Sequence, residues 1–169
     1  AGAVEGLSVG DTVEAILDWD RRFAHMAMHT SLHLLCASID AGVTGGSIGA
    51  EKSRLDFDLE DAPDKEALEQ RLNDLIAGNH DVLASTITAQ ALDAQPELVR
   101  TMSVAPPRDA SGLIRVVRIG TETAPIDFQP CGGTHVANTS EIGRVRIGKV
   151  EKKGKQNRRI NIHWEPANA

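Results

Sequence analysis

Residues 25–36 contain the stretch around which the rest of the chain is organised, His25-Met-Ala-Met-His29-Thr-Ser-Leu-His33-Leu-Leu-Cys36. Apolar positions recur at helical spacing over residues 20–40, which predicts a helix that ends before Gly42. In such a helix the three histidines and the cysteine fall within roughly 80° of one another on one face. The first and last of them, however, would be about 16 Å apart along the axis. One metal ion can therefore use only one adjacent pair, and its other ligands must come from elsewhere.

A second group of candidate ligands lies in the loop Cys131-Gly-Gly-Thr-His135. The two glycines, Gly132 and Gly133, make the loop pliable, so a thiolate and an imidazole four residues apart can close on a single ion. Sulfur and nitrogen donors suit zinc better than magnesium or calcium, which prefer oxygen. The two groups together predict a zinc site. It is not the zinc-protease signature, because Thr30 stands where that motif needs a glutamate.

The remaining pattern predicts an α+β fold. A second helix is expected over residues 63–77, with an acidic outer face. Helices and strands alternate irregularly, with hairpins in place of regular crossovers, which favours helices packed on one face of a mostly antiparallel sheet. Strands are predicted at 13–19, 54–59, 82–88, 113–119, 145–150 and 160–164, and a short helix near 96–102.

Composition and charge are those of an ordinary globular domain, with 41% hydrophobic and 25% charged residues. No apolar run approaches the roughly 20 residues that span a bilayer. The net charge of −6 argues against nucleic acid, yet residues 144–159 hold eight basic residues and one acid. That stretch indicates either an anionic partner met by one face or a solvated hairpin with basic flanks. Because only 3% of residues are aromatic, an RNA would be held through its backbone.

Four motifs occur together in a characteristic order, from about Asp18 to Trp164. They are His29-Thr-Ser-Leu-His33, Val43-Thr-Gly-Gly-Ser-Ile-Gly49, the segment from Cys131-Gly-Gly-Thr-His135 to Gly143, and Lys153-Gly-Lys-Gln-Asn-Arg-Arg-Ile160. This order resembles the editing domain shared by alanyl-tRNA synthetases, threonyl-tRNA synthetases and free-standing AlaX proteins. Residues 1–17 are similar to the junction that follows a small β-barrel in longer family members, so residues 18–169 are expected to form the editing domain.

The resemblance implies zinc held by His29, His33, Cys131 and His135, which leaves His25 and Cys36 as packing residues. It also implies hydrolysis of the ester that joins serine or glycine wrongly to alanine tRNA. Thr44 lies about where a threonine of the family discriminates serine. Full-length alanyl synthetases often have a glutamine near that position, so Thr44 favours the free-standing proteins.

Further expectations concern the chemistry and the partner. His29 and His33 would act through the zinc, and the amides of Gly132 and Gly133 are candidate oxyanion donors. Asp127 and Glu141 are candidate partners for the histidines. The RNA would be bound in the cytoplasm, without a membrane, by a set of basic residues comprising Lys153, Lys155, Arg158 and Arg159. The alternatives are a non-catalytic, zinc-stapled RNA-binding module and an editing fragment of a full-length alanyl-tRNA synthetase.

Overall fold

The computed structural model describes residues 6–102 and 105–165 as an α+β fold. The helices are α1 (Trp19–Ala37), α2 (Lys65–Ala77) and α3 (Ala89–Asp93), with short 3-10 helices at Pro96–Leu98 and Thr139–Ile142. The strands are β1 (Val43–Ser47), β2 (Lys52–Phe57), β3 (Val82–Ile87), β4 (Ile114–Gly120), β5 (Pro125–Pro130), β6 (Arg144–Gly154) and β7 (Asn157–Glu165).

Helix α1 is the central element of the fold. It begins where the Asp18 side chain accepts a hydrogen bond from the Arg21 amide at 3.0 Å, a standard N-cap. From Thr30 to Cys36 every residue is buried. The guanidinium of Arg100 donates to the carbonyls of Cys36 and Ile39 beyond the last turn, satisfying groups that the helix leaves unpaired. The predicted helix is therefore confirmed, and it ends slightly earlier than expected.

The strands form two sheets instead of the single sheet that the pattern predicted. One has four strands in the order β1-β2-β7-β6 and the other has three in the order β3-β4-β5, with every neighbouring pair antiparallel. Helix α1 contacts β2 of the larger sheet and β5 of the smaller one. Both sheets can therefore bury an apolar face against the same helix. The apolar periodicity of a strand does not show which sheet the strand joins, so the sequence did not reveal the two sheets.

The second helix packs on the outer strand of the larger sheet. Leu68, Leu72 and Ile76 lie on one face of α2 and are buried, at the spacing expected of an amphipathic helix. The amide of Asn73 donates to the Val145 carbonyl at 2.8 Å, which ties α2 to β6. These apolar residues join one core cluster with those of α1 and both sheets.

Two local predictions are corrected. Residues 13–17, expected as part of a strand, form no strand and are exposed, because no neighbouring strand pairs with them among the described residues. The helix expected near 96–102 is only the 3-10 turn Pro96–Leu98, and α3 precedes it. Within residues 6–102 and 105–165, no helix is long and apolar enough to cross a membrane.

Candidate metal centre

The structure brings together the four side chains that the resemblance singled out. One donor atom from each of His29, His33, Cys131 and His135 lies within 4.8 Å of the other three. The Cys131 sulfur is 3.5 Å from His29 Nε2 and 3.3 Å from His135 Nε2. Two donors come from consecutive turns of α1 and two from the loop after β5, so the helix and the smaller sheet complete the site jointly.

Two of the imidazoles are held in one orientation by partners behind them. His33 Nδ1 lies 2.7 Å from a carboxylate oxygen of Asp127, which confirms the expectation for that residue and turns Nε2 towards the cluster. His135 Nδ1 lies 3.1 Å from the Thr30 hydroxyl, which itself donates to the Met26 carbonyl. The hydroxyl oxygen therefore accepts from His135, which leaves His135 Nε2 free to bind a metal.

The loop from Cys131 to His135 is clamped and closely packed. The Arg115 guanidinium donates to the carbonyls of Cys131 and Gly133, and the Arg115 carbonyl accepts from the Cys131 amide. A Cβ at Gly133 would overlap the His29 ring, whereas one at Gly132 would meet nothing within 4 Å. Because Gly133 has no Cβ, the loop can approach α1 closely at this position. The Gly132 position has free space around it, so close packing does not require a glycine there.

The negative charge of the Cys131 thiolate favours a metal cation in the cluster. Burial by itself opposes the thiolate, but hydrogen bonds from His135, His29 and His33 lower the pKa of Cys131 to about 3. Burial likewise disfavours protonated His33, but Asp127 and the thiolate raise its pKa to about 9. Burial and the neighbouring histidines lower the pKa of His135 to about 4. His33 must therefore release its proton when it binds a metal.

The donor set passes the geometric test for zinc. Tetrahedral ligands at zinc distances lie roughly 3.4 Å from one another, close to the sulfur–nitrogen distances described above. Three imidazoles and one thiolate also form a nitrogen- and sulfur-rich set, which suits zinc and not the hard cations. The residues present therefore fit a metal ion that prefers nitrogen and sulfur donors.

The residues that the resemblance set aside lie outside the cluster. His25 Nδ1 is 2.7 Å from the Arg21 carbonyl, one turn back on α1. Cys36 is buried, and burial raises the pKa of its thiol, so it stays neutral. Glu141 accepts from the Asn138 amide at 2.7 Å in a capping box, so it serves the 3-10 helix and not a histidine.

A cavity of about 420 Å³ opens beside the cluster. Its walls include His29, His33 and Cys131, and most of the remaining surface is aliphatic, from residues such as Leu32 and Leu55. Gln129, which the sequence analysis missed, is buried in the wall. The signal that could have found it is the alternation Asp127-x-Gln129-x-Cys131, which places three polar side chains on one face of a strand.

Thr44 does not line this cavity. Its hydroxyl donates to the Asp56 carbonyl at 3.2 Å and accepts from the Asn157 amide at 2.8 Å. The next residues of the same segment, Gly46 and Ser47, do reach the cavity wall. The structure therefore connects Thr44 to the β6–β7 hairpin and not directly to the cluster.

The basic residues of the hairpin divide into two groups. Arg158 is buried and donates to the carbonyls of Gly154 and Asn157, while Arg159 forms two 2.8 Å hydrogen bonds with Asp56. Lys153 and Lys155 are exposed near the turn. The two arginines thus hold the hairpin together, and the two lysines face outward.

The fold and this centre first define a class of domain. Residues 114–161 match the family described as the threonyl and alanyl tRNA synthetase second additional domain. This match covers β4, β5, the cysteine–histidine loop and most of the β6–β7 hairpin.

Individual relatives extend the similarity over nearly the whole chain. The chain is 40% identical over 163 residues to the alanyl-tRNA editing protein AlaX-M of Methanosarcina mazei, which covers 92% of this chain and 62% of that protein. It is 33% identical over 164 residues to AlaX-M of Saccharolobus solfataricus, covering 95% and 67% respectively. The alanine–tRNA ligase of Pyrobaculum aerophilum is 38% identical over 154 residues, which make up 85% of this chain but 17% of the ligase. The chain belongs to the family of alanyl-tRNA editing proteins of the AlaX-M type, and it spans somewhat less than two thirds of the length of the M. mazei relative.

Proposed function

We propose that this chain hydrolyses the ester bond of alanine tRNA wrongly charged with serine or glycine, using a zinc ion held by His29, His33, Cys131 and His135. The observation that carries the proposal is the four-donor cluster, three of whose members line a cavity of about 420 Å³. A metal that only stapled the fold would need no such space beside it. Membership of the editing family supplies the substrate class.

A bound zinc ion would supply positive charge beside the ester; because the four protein donors complete a tetrahedral shell, it would act on the carbonyl as a Lewis acid only if one donor gave way. The chain's own residues do the positioning. Asp127 and Thr30 orient His33 and His135, and the aliphatic part of the cavity wall would pack against the aminoacyl group. The Gly133 amide is directed at the Cys131 sulfur at 3.5 Å, so of the two proposed oxyanion donors Gly132 is the one with an uncommitted N–H.

The tRNA backbone would lie along the β6–β7 hairpin. A polar depression lined by Arg54, Glu151 and Arg159 adjoins the cavity at Ser47, which lines both. An RNA strand that crosses this depression could place its aminoacylated end at the metal site. We propose that Lys153 and Lys155 contact phosphates directly, and that Arg158, Arg159 and Thr44 support that surface through their contacts within the hairpin.

Two further points belong to the proposal. We place the editing domain at residues 18–169, with residues 1–17 as the tail of an upstream module. We also place the protein in the cytoplasm, since its substrate class is a charged tRNA and both cysteines are free thiols.

The decisive experiment is deacylation by the purified, zinc-loaded chain. Alanine tRNA charged with serine, glycine or alanine is incubated with the protein, and the remaining ester is measured over time. We expect rapid loss of the serine and glycine esters and survival of the alanine ester. Binding of tRNA without any deacylation at saturating protein would contradict the enzyme proposal and favour the zinc-stapled RNA-binding module.

The zinc ligands are tested by metal analysis of two cysteine variants. Cys131→Ala removes a donor from the cluster and should lose most of the bound zinc. Cys36→Ala, on the same chain but outside the cluster, should retain one zinc per chain. Retention of full zinc by Cys131→Ala would eliminate the proposed site.

A further inference from the structure

We infer that the side-chain carbonyl of Gln129 selects serine, because Gln129 lines the proposed aminoacyl cavity and its amide nitrogen is held by Asp127, which leaves the carbonyl oxygen to meet the substrate. This inference rests on the proposed function and names a residue that determines its specificity. The argument starts from β5, where Asp127, Gln129 and Cys131 alternate along the chain. Asp127 and Gln129 are both buried, so one face of the strand carries the histidine's partner, the glutamine and the sulfur ligand in sequence.

Hydrogen bonding determines which way the Gln129 amide points. Its nitrogen lies 3.0 and 2.9 Å from the two carboxylate oxygens of Asp127. A carboxylate that is itself paired with His33 can only accept, so the atom facing it must be the NH₂ group and not the carbonyl. The carbonyl oxygen is thereby turned away from Asp127. Among the hydrogen bonds of residues 6–102 and 105–165, none reaches that oxygen, and it is not one of their fully buried unpaired atoms, so it opens onto the cavity space that Gln129 lines.

The other polar groups of the cavity wall are less suited to read a hydroxyl. Ser47 is exposed at the rim shared with the polar depression, and Thr101 is also exposed. Cys36 is buried close to Gln129, but a neutral thiol is a weak hydrogen-bonding partner. Among the described residues that line this cavity, Gln129 therefore combines a buried side chain with a strong acceptor that receives no hydrogen bond from the protein.

This acceptor ranks the three amino acids. The serine hydroxyl can donate to the Gln129 carbonyl. Glycine leaves room for a water molecule that can donate in its place. The methyl group of alanine would cover the carbonyl oxygen without pairing it, which is unfavourable for a buried acceptor. The expected order of hydrolysis is serine, then glycine, then alanine, so that the correct product is spared.

The test compares the kcat/KM values of two substrates as a ratio, because Gln129 is hydrogen-bonded to Asp127, which is in turn hydrogen-bonded to the proposed metal ligand His33. In Gln129→Leu the ratio of kcat/KM for seryl to glycyl alanine tRNA should fall about tenfold, which corresponds to one lost hydrogen bond. Any general damage to the metal centre lowers both rates and cancels in the ratio. Thr30→Val provides that control, since it removes the partner of His135 Nδ1 without touching Gln129 or Asp127, so it should slow both substrates and leave the ratio unchanged. Thr44→Val should also leave the ratio unchanged; if it removes the preference while Gln129→Leu does not, the inference is wrong.

A binding experiment on the wild-type chain needs neither a variant nor catalysis. Adenosine carrying serine, or 2-aminobutyrate, through a stable 3′-amide is titrated calorimetrically into the metal-free and zinc-loaded protein. The two ligands differ only by a hydroxyl in place of a methyl group, and the seryl compound should bind about tenfold more tightly. Equal affinities would overturn the role of Gln129. If the wild type deacylates neither serine nor glycine, the proposed function fails, while this affinity ratio still decides the inference.

Discussion

At the scale of single residues, the two adjacent glycines of the loop from Cys131 to His135 differ in the space around them. The Gly133 position lies against the His29 ring, and the Gly132 position is open. We expect Gly133→Ala to displace His29 and weaken zinc binding at least tenfold, because the added Cβ and the half-buried His29 ring cannot occupy the same space. Gly132→Ala should bind zinc almost normally. Competition with a chromogenic chelator measures both affinities, and equal losses in the two variants would show that the contact is unimportant.

Neighbouring basic side chains of the β6–β7 hairpin likewise have different roles. The number of basic residues in the sequence could not distinguish these roles. Arg158 and Arg159 are adjacent on β7, so they point to opposite faces of the sheet. One is buried against turn carbonyls and the other pairs with a carboxylate. The prediction of a basic stretch was sound, but the direction of each charge depends on strand register, which the sequence does not display.

At the scale of secondary-structure elements, Asp56 joins β2 to β7 through Arg159 and also binds Arg54. The hydrogen bond from Arg159 lowers the pKa of Asp56, more than burial raises it. A carboxyl whose pKa is lowered by folding stabilises the folded chain above its unfolded pKa of about 3.9, and this stabilisation is lost as the pH falls through the lower folded value. We expect Asp56→Asn to reduce the free energy of unfolding by about 2 kcal/mol at pH 7, and by progressively less below about pH 4.

Asp58→Asn is the matched control for that measurement. Asp58 lies just beyond β2 and is exposed. Urea denaturation at a series of pH values should show no comparable difference for this variant. A constant deficit of Asp56→Asn at every pH would mean that shape, and not charge, accounts for the effect.

The hairpin lysines carry the prediction for RNA. Replacing Lys153 and Lys155 together by alanine should weaken tRNA binding and lower the slope of log affinity against log salt by about 1.5. Lys65→Ala, on the acidic helix α2, should change neither quantity. Filter binding at several salt concentrations measures both. An unchanged salt slope in the double variant would remove the hairpin from the proposed RNA surface.

The secondary-structure elements were predicted well where one spacing of apolar residues, helical or alternating, dominated a segment. Helix α2 and the strands near 113–119 and 145–150 have clear apolar spacing, and all appear close to their expected bounds. Strand β5 was missed because it begins at Pro125 and ends at Pro130, and proline is normally a signal against a strand. That omission also concealed Gln129. The histidine and cysteine pattern predicted a metal site, but the choice of His29 and His33 came from the family resemblance, since nothing in the spacing shows how the two groups of side chains meet.

At the scale of the whole molecule, the first residues stand apart from the core. Residues 6–17 have no helix or strand, and large apolar side chains such as Ile16 and Leu17 are exposed. We expect a chain that begins at Asp18, and so keeps the N-cap of α1, to retain its melting temperature and its zinc. Differential scanning calorimetry and metal analysis test this. A drop of more than about 4 °C, equivalent to about 1–2 kcal/mol or more for a domain of this size, would mean that the segment belongs to the domain.

The separation of the metal donors along the chain has a consequence for biosynthesis. His29 and Cys131 are 102 positions apart, and they meet only because α1 contacts both sheets. A nascent chain on the ribosome presents one histidine pair until residue 135 has emerged, and closing so long a loop costs about 4 kcal/mol of chain entropy. The four-donor cluster is therefore assembled only after most of the domain has been synthesised. Under the proposed function, a nascent chain has no competent site for misacylated tRNA until nearly all of its own sequence has been translated.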